Sequence, residues 1–328
     1  MNLYFEEKAH KYTDEFGFEY ISTTTLIHNY TPQFETKERA RACEKIGSNP
    51  NHPKYLKYKG MKAWQIEQMW KTDADKGCAI GNFHHNKLED NINLSMYVDK
   101  PKTIITDYGH SLFTIDDIML NPNYGRIDLY KLKKSEIYTE YPEVYNSLVS
   151  LINQGFSIYV EIGLFDFDNK ISGLGDIIPI HLERRVFMVL DWKTNKVPIT
   201  KVAGYYEKDN QRNILYDKFV ATDEKFLAPL AHLIHSNYYV YGLQLNTYQR
   251  MIEQRGFKCL GRMIIHIRHE TYTSEDGAVK QYPQLLNKHK INFVTIEDMQ
   301  RDVSIMFNHN KQVKILNNNS QLDFGSIF

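Results

Sequence analysis

The stretch VFMVLDWKTNK, residues 186–196, begins as an apolar run suited to a buried strand and ends by delivering Asp191, Trp192 and Lys193. Just upstream, ISGLGDIIPI (171–180) is a second strand pattern, carrying Gly173 and Asp176. A short polar link around Leu182–Arg185 joins them, which predicts an antiparallel hairpin. With the turn centred between Glu183 and Arg184, the register sets Asp176 across from Asp191. Directly opposed residues of an antiparallel pair have Cβ atoms about 4.5–5.5 Å apart. Two carboxylates that close resist ionisation unless a cation lies between them. Paired oxygen donors of this kind suit Mg²⁺ or Mn²⁺. Strand alternation puts Lys193 on the face of Asp191 and Trp192 on the other, so an ammonium stands where it can offset charge on a phosphate. Pro179 cannot donate to a ladder, so an edge or a bulge is expected there, and a bulge would shift the register by one. Taken alone, a hairpin that exposes its charges to solvent is the plainer reading.

Around this hairpin the pattern is that of an α/β protein. Residues 5–27 resemble two strands around an Asp-Glu-Phe-Gly turn, and 36–46, 62–72 and 76–93 have helical patterning. Residues 94–135 are irregular, with Pro101, Pro122 and Gly125 as breakers, and a helix is expected at 141–153. Strand runs follow from Phe156 to Lys193, then a polar insertion, a long helix closed by Gly256, two more strand candidates and a last helix over 296–309. The order helix, three strands, helix, strand predicts a mixed central β-sheet flanked by helices (αβββαβ). The expected division is 1–75 as an N-terminal hairpin with helices, 76–309 as the core with insertions at 94–140 and 195–230, and 310–328 as a tail.

Composition bounds the rest. In 328 residues, 42% hydrophobic content is enough for a folded core rather than a disordered chain. The N-terminus meets charge at once and no apolar run approaches the roughly 18 residues that span a bilayer, so a soluble protein with no membrane association is expected. Lys+Arg and Asp+Glu are 40 each, a balance that leaves a polyanionic partner open, because a local patch is enough for phosphate binding. Cys43, Cys78 and Cys259 lie far apart without CxxC spacing, which argues against disulfides, zinc and iron–sulfur sites.

Two further motifs complete a pattern. GNFHHNKLED (81–90) puts His85 and Glu89 one turn apart on a helix, where the imidazole could ligate a divalent ion and Glu89 support it; a surface His–Glu pair is the plainer reading. His84 points about 100° away from that face. QLNTY (244–248) puts Gln244 and Tyr248 one turn apart, a hydrogen-bonding amide and a ring able to stack on a base. In order, GxxxHxxxE (Gly81, His85, Glu89), GxxD (Gly173, Asp176), DxK (Asp191, Lys193) and QxxxY (Gln244, Tyr248) resemble the RecB-like branch of the PD-(D/E)XK nuclease superfamily, over roughly residues 77–256.

That resemblance implies a restriction-endonuclease-like core and a Mg²⁺- or Mn²⁺-dependent nuclease acting on DNA in replication, recombination or repair. It implies His85, Asp176 and Asp191 as metal ligands, Lys193 as the catalytic lysine, Glu89 and Glu161 as auxiliary acids, and Gln244 and Tyr248 as supports of the site and the nucleic acid. An exonuclease on single-stranded or end-exposed DNA, leaving 5′-phosphates, is the expected activity. The front end of the chain resembles phage-type and mitochondrial-type single-chain exonucleases of this branch, which implies the cytoplasm of a bacterium or phage-infected host cell. Asn82 stands where the family often has a small hydroxyl residue, and the cysteines that hold an iron–sulfur cluster in some relatives are missing, so none is expected. Without a GxxxxGK[ST] loop, unwinding would need a helicase partner. NHPKYLKYKGMK (51–62) interleaves lysines with tyrosines, so Lys57 and Tyr58 are candidate contacts to a single strand. The tail QLDFGSIF (321–328) is similar to peptides that bind sliding clamps and to the tips of single-strand-binding proteins. The alternative from another class is a non-catalytic DNA-binding module of a replication or packaging assembly.

Overall fold

In a computed structural model, residues 2–99, 101, 103–209, 214–273, 279–281 and 289–323 are described. The chain opens with β1 (Leu3–Glu6), β2 (Lys11–Asp14) and β3 (Glu19–Ser22), an antiparallel meander. The expected Asp-Glu-Phe-Gly turn joins β2 to β3: Asp14 Oδ1 accepts from the backbone N–H groups of Phe16 and Phe18, and Gly17 takes φ +82°. Four helices follow: α1 (Thr23–His28), capped by the Ser22 hydroxyl, α2 (Thr36–Gly47), α3 (Tyr55–Tyr58) and α4 (Ala63–Leu94). The irregular stretch holds β4 (Ile105–Thr106), β5 (Gly109–Ser111), α5 (Ile115–Leu120), α6 (Leu129–Lys134) and α7 (Glu136–Glu140), before α8 (Pro142–Asn153).

The heart of the molecule is β6 (Ser157–Asp166), β7 (Ile171–His181) and β8 (Val186–Lys193). A two-stranded ribbon, β9 (Gly204–Lys208) and β10 (Ile214–Ala221), precedes α9 (Asn237–Glu253) and β11 (Lys258–His269). The small pair β12 (Thr271–Thr273) and β13 (Val279–Gln281), then β14 (His289–Ile296) and α10 (Gln300–Asp323), complete the order. Ten strands form one mixed sheet, β14-β11-β8-β7-β3-β2-β1-β5-β4, with β6 on the other side of β7. β8 and β11 are parallel, linked through α9, and β3 and β7 are parallel; the other pairs are antiparallel. Ile158, Val160, Ile162, Ile177, Ile180, Phe187, Val189 and Trp192 are all buried, so the central strands are covered on both faces and read as nearly continuous apolar runs.

Where two strands were expected over 5–27 there are three, with 23–27 helical, and the stretches 94–135 and 195–225 hold short elements that no pattern marked. Three larger expectations also change. The helices over 62–72 and 76–93 are one 32-residue α4 that passes through Gly77 and Gly81. An interior glycine costs about 1 kcal/mol, less than ending a helix and nucleating another. Ile66 packs with Ala40 and Tyr58 at one end of α4, while Leu88 and Ile92 join the main core at the other. The division at 75/76 therefore falls inside a helix, and β3 hydrogen-bonds directly to β7 across it. Finally, α10 continues to Asp323, so most of the expected tail is helical, and residues 324–328 of the clamp-like motif lie outside the described residues. No helix among the described residues is long and apolar enough to cross a membrane.

Candidate active site

The β7–β8 hairpin turns at Leu182–Arg185, where the Arg185 N–H bonds to the Leu182 carbonyl at 3.1 Å. Its pairs are Ile177 with Leu190, Ile180 with Phe187 and His181 with Val186, the register that sets Asp176 against Asp191. Pro179 does not shift it: the β7–β8 pairing skips Ile178 and Pro179 and resumes in register, and Pro179 pairs with Ile158 on the β6 side.

Asp176 sits where the ladders on both sides of β7 lapse. On the β6 side the pairs run without interruption except at Glu161 and Asp176, and Glu161 has a left-handed φ of +50°. On the other edge, β3 pairs with Ile171 and Ser172 while β8 pairs only from Ile177 onward, leaving 173–176 between two diverging strands. The lapse frees backbone and side chain for other partners. Asp176 Oδ2 accepts from the Trp192 N–H at 3.0 Å, and the left-handed turn at Glu161 brings its side chain to the cleft wall. A sparsely populated backbone conformation inside a strand is the kind of strain that structures retain at working sites.

Into the same gap comes α9. The ring of Tyr248 lies directly on Gly173, where an added Cβ would be 2.6 Å from Cε1. Gln244 donates to the Tyr248 hydroxyl at 3.1 Å and reaches Asp191 Oδ1 at 3.5 Å. The glycine of GxxD and the tyrosine of QxxxY are thus two halves of one contact. Both Gln244 (9% exposed) and Tyr248 (3%) are buried, which corrects the expectation that they touch nucleic acid. A ring seated on backbone has no free face for a base; the pair positions Asp191 instead.

From the opposite side, α4 presents His85. Its Nε2 is 3.2 Å from the Trp192 carbonyl, which can only accept, so this hydrogen bond fixes the proton on Nε2. The bare Nδ1 then faces Asp176 Oδ2 at 3.7 Å. Two lone pairs converging without a proton between them suit a cation. His84 is turned away into the core, within 2.7 Å of the Tyr141 hydroxyl. Lys193 forms an ion pair with Asp191 Oδ2 and lies 5.0 Å from the ring centroid of Tyr241.

These contacts set the protonation states. Burial, reinforced by the Asp176 charge, pushes the Asp191 carboxyl up to about 6 despite Lys193 and His85. Burial raises Asp176 as well, with Lys193 and the Trp192 N–H acting against it. Burial also opposes the charge on Lys193, but Asp191 and Asp176 outweigh it and its pKa is raised. Burial lowers that of His85, partly offset by Asp191, so the imidazole is neutral at pH 7 and able to ligate a metal.

The cleft above these groups holds about 760 Å³ and is lined by His85, Glu161, Trp192, Lys193, Lys196, Lys208 and Tyr241, among others. Glu89 is not on its wall. It lies one turn further along α4, within 3.5 Å of Asn93 Nδ2 and near Tyr124, and Glu161 is the acid whose charge bears on Asp176. Lys57 is half-buried with its Nζ 5.7 Å from the Tyr58 ring centroid, and Tyr58 is core (8% exposed), so base stacking by Tyr58 is also corrected. The sequence reading overlooked Tyr241, although it lies three residues before Gln244 on the same helix, and Lys208, for which the polar insertion carries no signal.

Among the described residues, no three His, Cys, Asp or Glu side chains form a ready-made metal cage. The donor set still fits a hard divalent ion: two carboxylates with raised pKa values, a neutral imidazole with its lone pair turned inward, and Glu161 beside them. No protein-family model matches this chain, and no curated protein matches it significantly.

Proposed function

We propose that this protein is a Mg²⁺- or Mn²⁺-dependent deoxyribonuclease of the RecB-like kind, with a restriction-endonuclease-like core, acting exonucleolytically on single-stranded or end-exposed DNA. The observation that carries the reading is the set of groups at the end of β8. An ammonium is paired with Asp191, Asp176 stands alongside, and an imidazole lone pair is aimed at them, at the floor of an open cleft. The order α4, β6, β7, β8, α9, β11 supports it as well. His85, Asp176 and Asp191 would hold the ion, whose chemistry is to activate water and stabilise charge on the scissile phosphate. Lys193 neutralises charge gathering on the phosphate, while its contact with Tyr241 fixes where the ammonium sits. Gln244 holds Asp191 in orientation from behind. Hydrolysis in this arrangement leaves a 5′-phosphate.

The test is incubation of end-labelled single- and double-stranded DNA and RNA, linear and circular, with Mg²⁺, Mn²⁺ or EDTA. Cleavage of linear DNA that needs the cation is expected. DNA binding without cleavage in either cation would favour the non-catalytic module instead.

Cation binding can also be read without activity. A proton and a divalent ion compete for the same carboxylate oxygens, so affinity rises with pH until Asp191 is ionised, near pH 6. Without a cation the sign is opposite. The folded form holds this proton more tightly than the unfolded chain, so this group's contribution to stability falls as pH climbs from 3.8 to about 6. Mn²⁺ at about 100 times its Kd should then stabilise by about 2.7 kcal/mol. The stabilisation should be full near pH 7.5 and about half as large near pH 5, where protonation of Asp191 weakens the affinity about tenfold. An equal shift at both pH values would remove the aspartate pair as the binding site.

A further inference from the structure

The active cleft does not end at Lys193. Lys208, at the end of β9, lines both that cleft and a second groove of about 600 Å³ between β9 and the helices α3 and α4. Phe34, Tyr205 and Tyr206 line this groove and also a third depression, of about 910 Å³, further along the ribbon. The three hollows share walls and form one track leading to Lys193.

Its chemistry is uneven in one direction. The middle groove is lined by Lys54, Lys57 and Lys208 against a single acid, Glu207. Between these cations stand large rings that are open to solvent. Phe34 is 57% exposed, edge-on to Trp70 at 5.6 Å, and Tyr205 is 50% exposed. Arg39 lies 4.9 Å from the Phe34 centroid. Duplex DNA hides its base faces in the stack and presents phosphates alone, which lysines can meet without rings. Rings interleaved with cations fit a strand whose bases are unpaired, each ring taking a base face and each lysine a phosphate.

We propose that this groove holds the unpaired strand of a DNA end, with bases against Phe34, Trp70 and Tyr205 and phosphates against Lys54, Lys57 and Lys208. The strand then runs past Lys208 and delivers its next phosphodiester beside Lys193. The choice of DNA over RNA and that last step rest on the nuclease reading. Tyr58 supports the groove from the satellite core, and Lys57 contributes its charge.

The test is fluorescence anisotropy of the full chain in EDTA with labelled oligo-dT, a blunt duplex and oligo-rU. The parent chain should bind oligo-dT most tightly. Tyr205→Ala should weaken that binding about tenfold, the effect of removing one stacking ring, with the salt dependence unchanged. The double variant Lys54→Glu, Lys208→Glu should weaken it further, and the slope of log affinity against log salt should become shallower by about 0.7 for each phosphate no longer neutralised. Lys8→Glu, in the β1–β2 turn, is the charge control, and all these side chains are exposed, so circular dichroism should show intact folds. Three results would overturn the proposal: unchanged affinity in both groove variants, an equal loss in the control, or tighter binding of the duplex or of oligo-rU. Because binding is read without a cation, the groove is tested independently of cleavage. Absence of cation-dependent cleavage by the parent chain would sink the nuclease reading and leave the anisotropy result standing.

Discussion

On the proposed nuclease function, Lys193→Ala should lower DNA cleavage by about a thousandfold, the upper range for removing one preorganised group that meets charge in the transition state. The effect should fall on turnover, because the ammonium lies at the cleft floor, paired with Asp191 and held near the Tyr241 ring, and away from the groove that would grip the strand. The fold should survive. The lysine side chain keeps 18% exposure at the open cleft, and Asp191, already raised to about 6, can take up a proton once its partner is gone. Single-turnover cleavage of labelled single-stranded DNA in Mg²⁺, beside anisotropy in EDTA, separates the two effects. Cleavage within a few-fold of the parent would remove Lys193 from the mechanism.

Gly173→Ala is the second large effect, and it acts through α9. The added methyl would lie 2.6 Å from Tyr248 Cε1 and 2.9 Å from its hydroxyl, closer than real Cβ atoms come, and the ring has no room to yield because it is buried. Relief requires α9 or β7 to move. Overpacking of this kind costs roughly 2 kcal/mol. Gln244, tied to the same hydroxyl, would move with it and release Asp191 Oδ1. A displacement of about 1 Å at reacting groups can cost on the order of a hundredfold in rate. Urea denaturation reads the first quantity and initial rates the second. A Gly173→Ala chain with parental stability and rate would show that the contact between α9 and β7 does not hold the site.

Much of the hairpin was legible because its determinants are local. Two apolar runs, a short polar link and the period of two are enough to set Asp176 against Asp191 and to turn Lys193 to the same side, and the Pro179 gap leaves that register intact. The choice of His85 over His84 came from helical spacing in the same way, and the structure has His84 among core rings. Tyr248 was misjudged because an exposed and a buried tyrosine look alike in a sequence; what buries this one is Gly173, 75 positions away. The place of Glu161 on the cleft wall was less legible, because it depends on a backbone irregularity that no residue pattern announces.

The sequence alone set the central strands, the long helices, the hairpin register and the side on which each charged group emerges, because those depend on periodicity and turn chemistry over a few residues. The short elements within 94–135 and the β9–β10 ribbon left no such pattern. Only the tertiary structure decided that β3 and β8 diverge along one edge of β7, that α9 fills the opening, and that β9 faces the helices α3 and α4 across a basic, ring-lined groove. Those outcomes depend on packing between segments far apart in the chain, where the fit of one side chain into one gap, rather than any local preference, selects the arrangement.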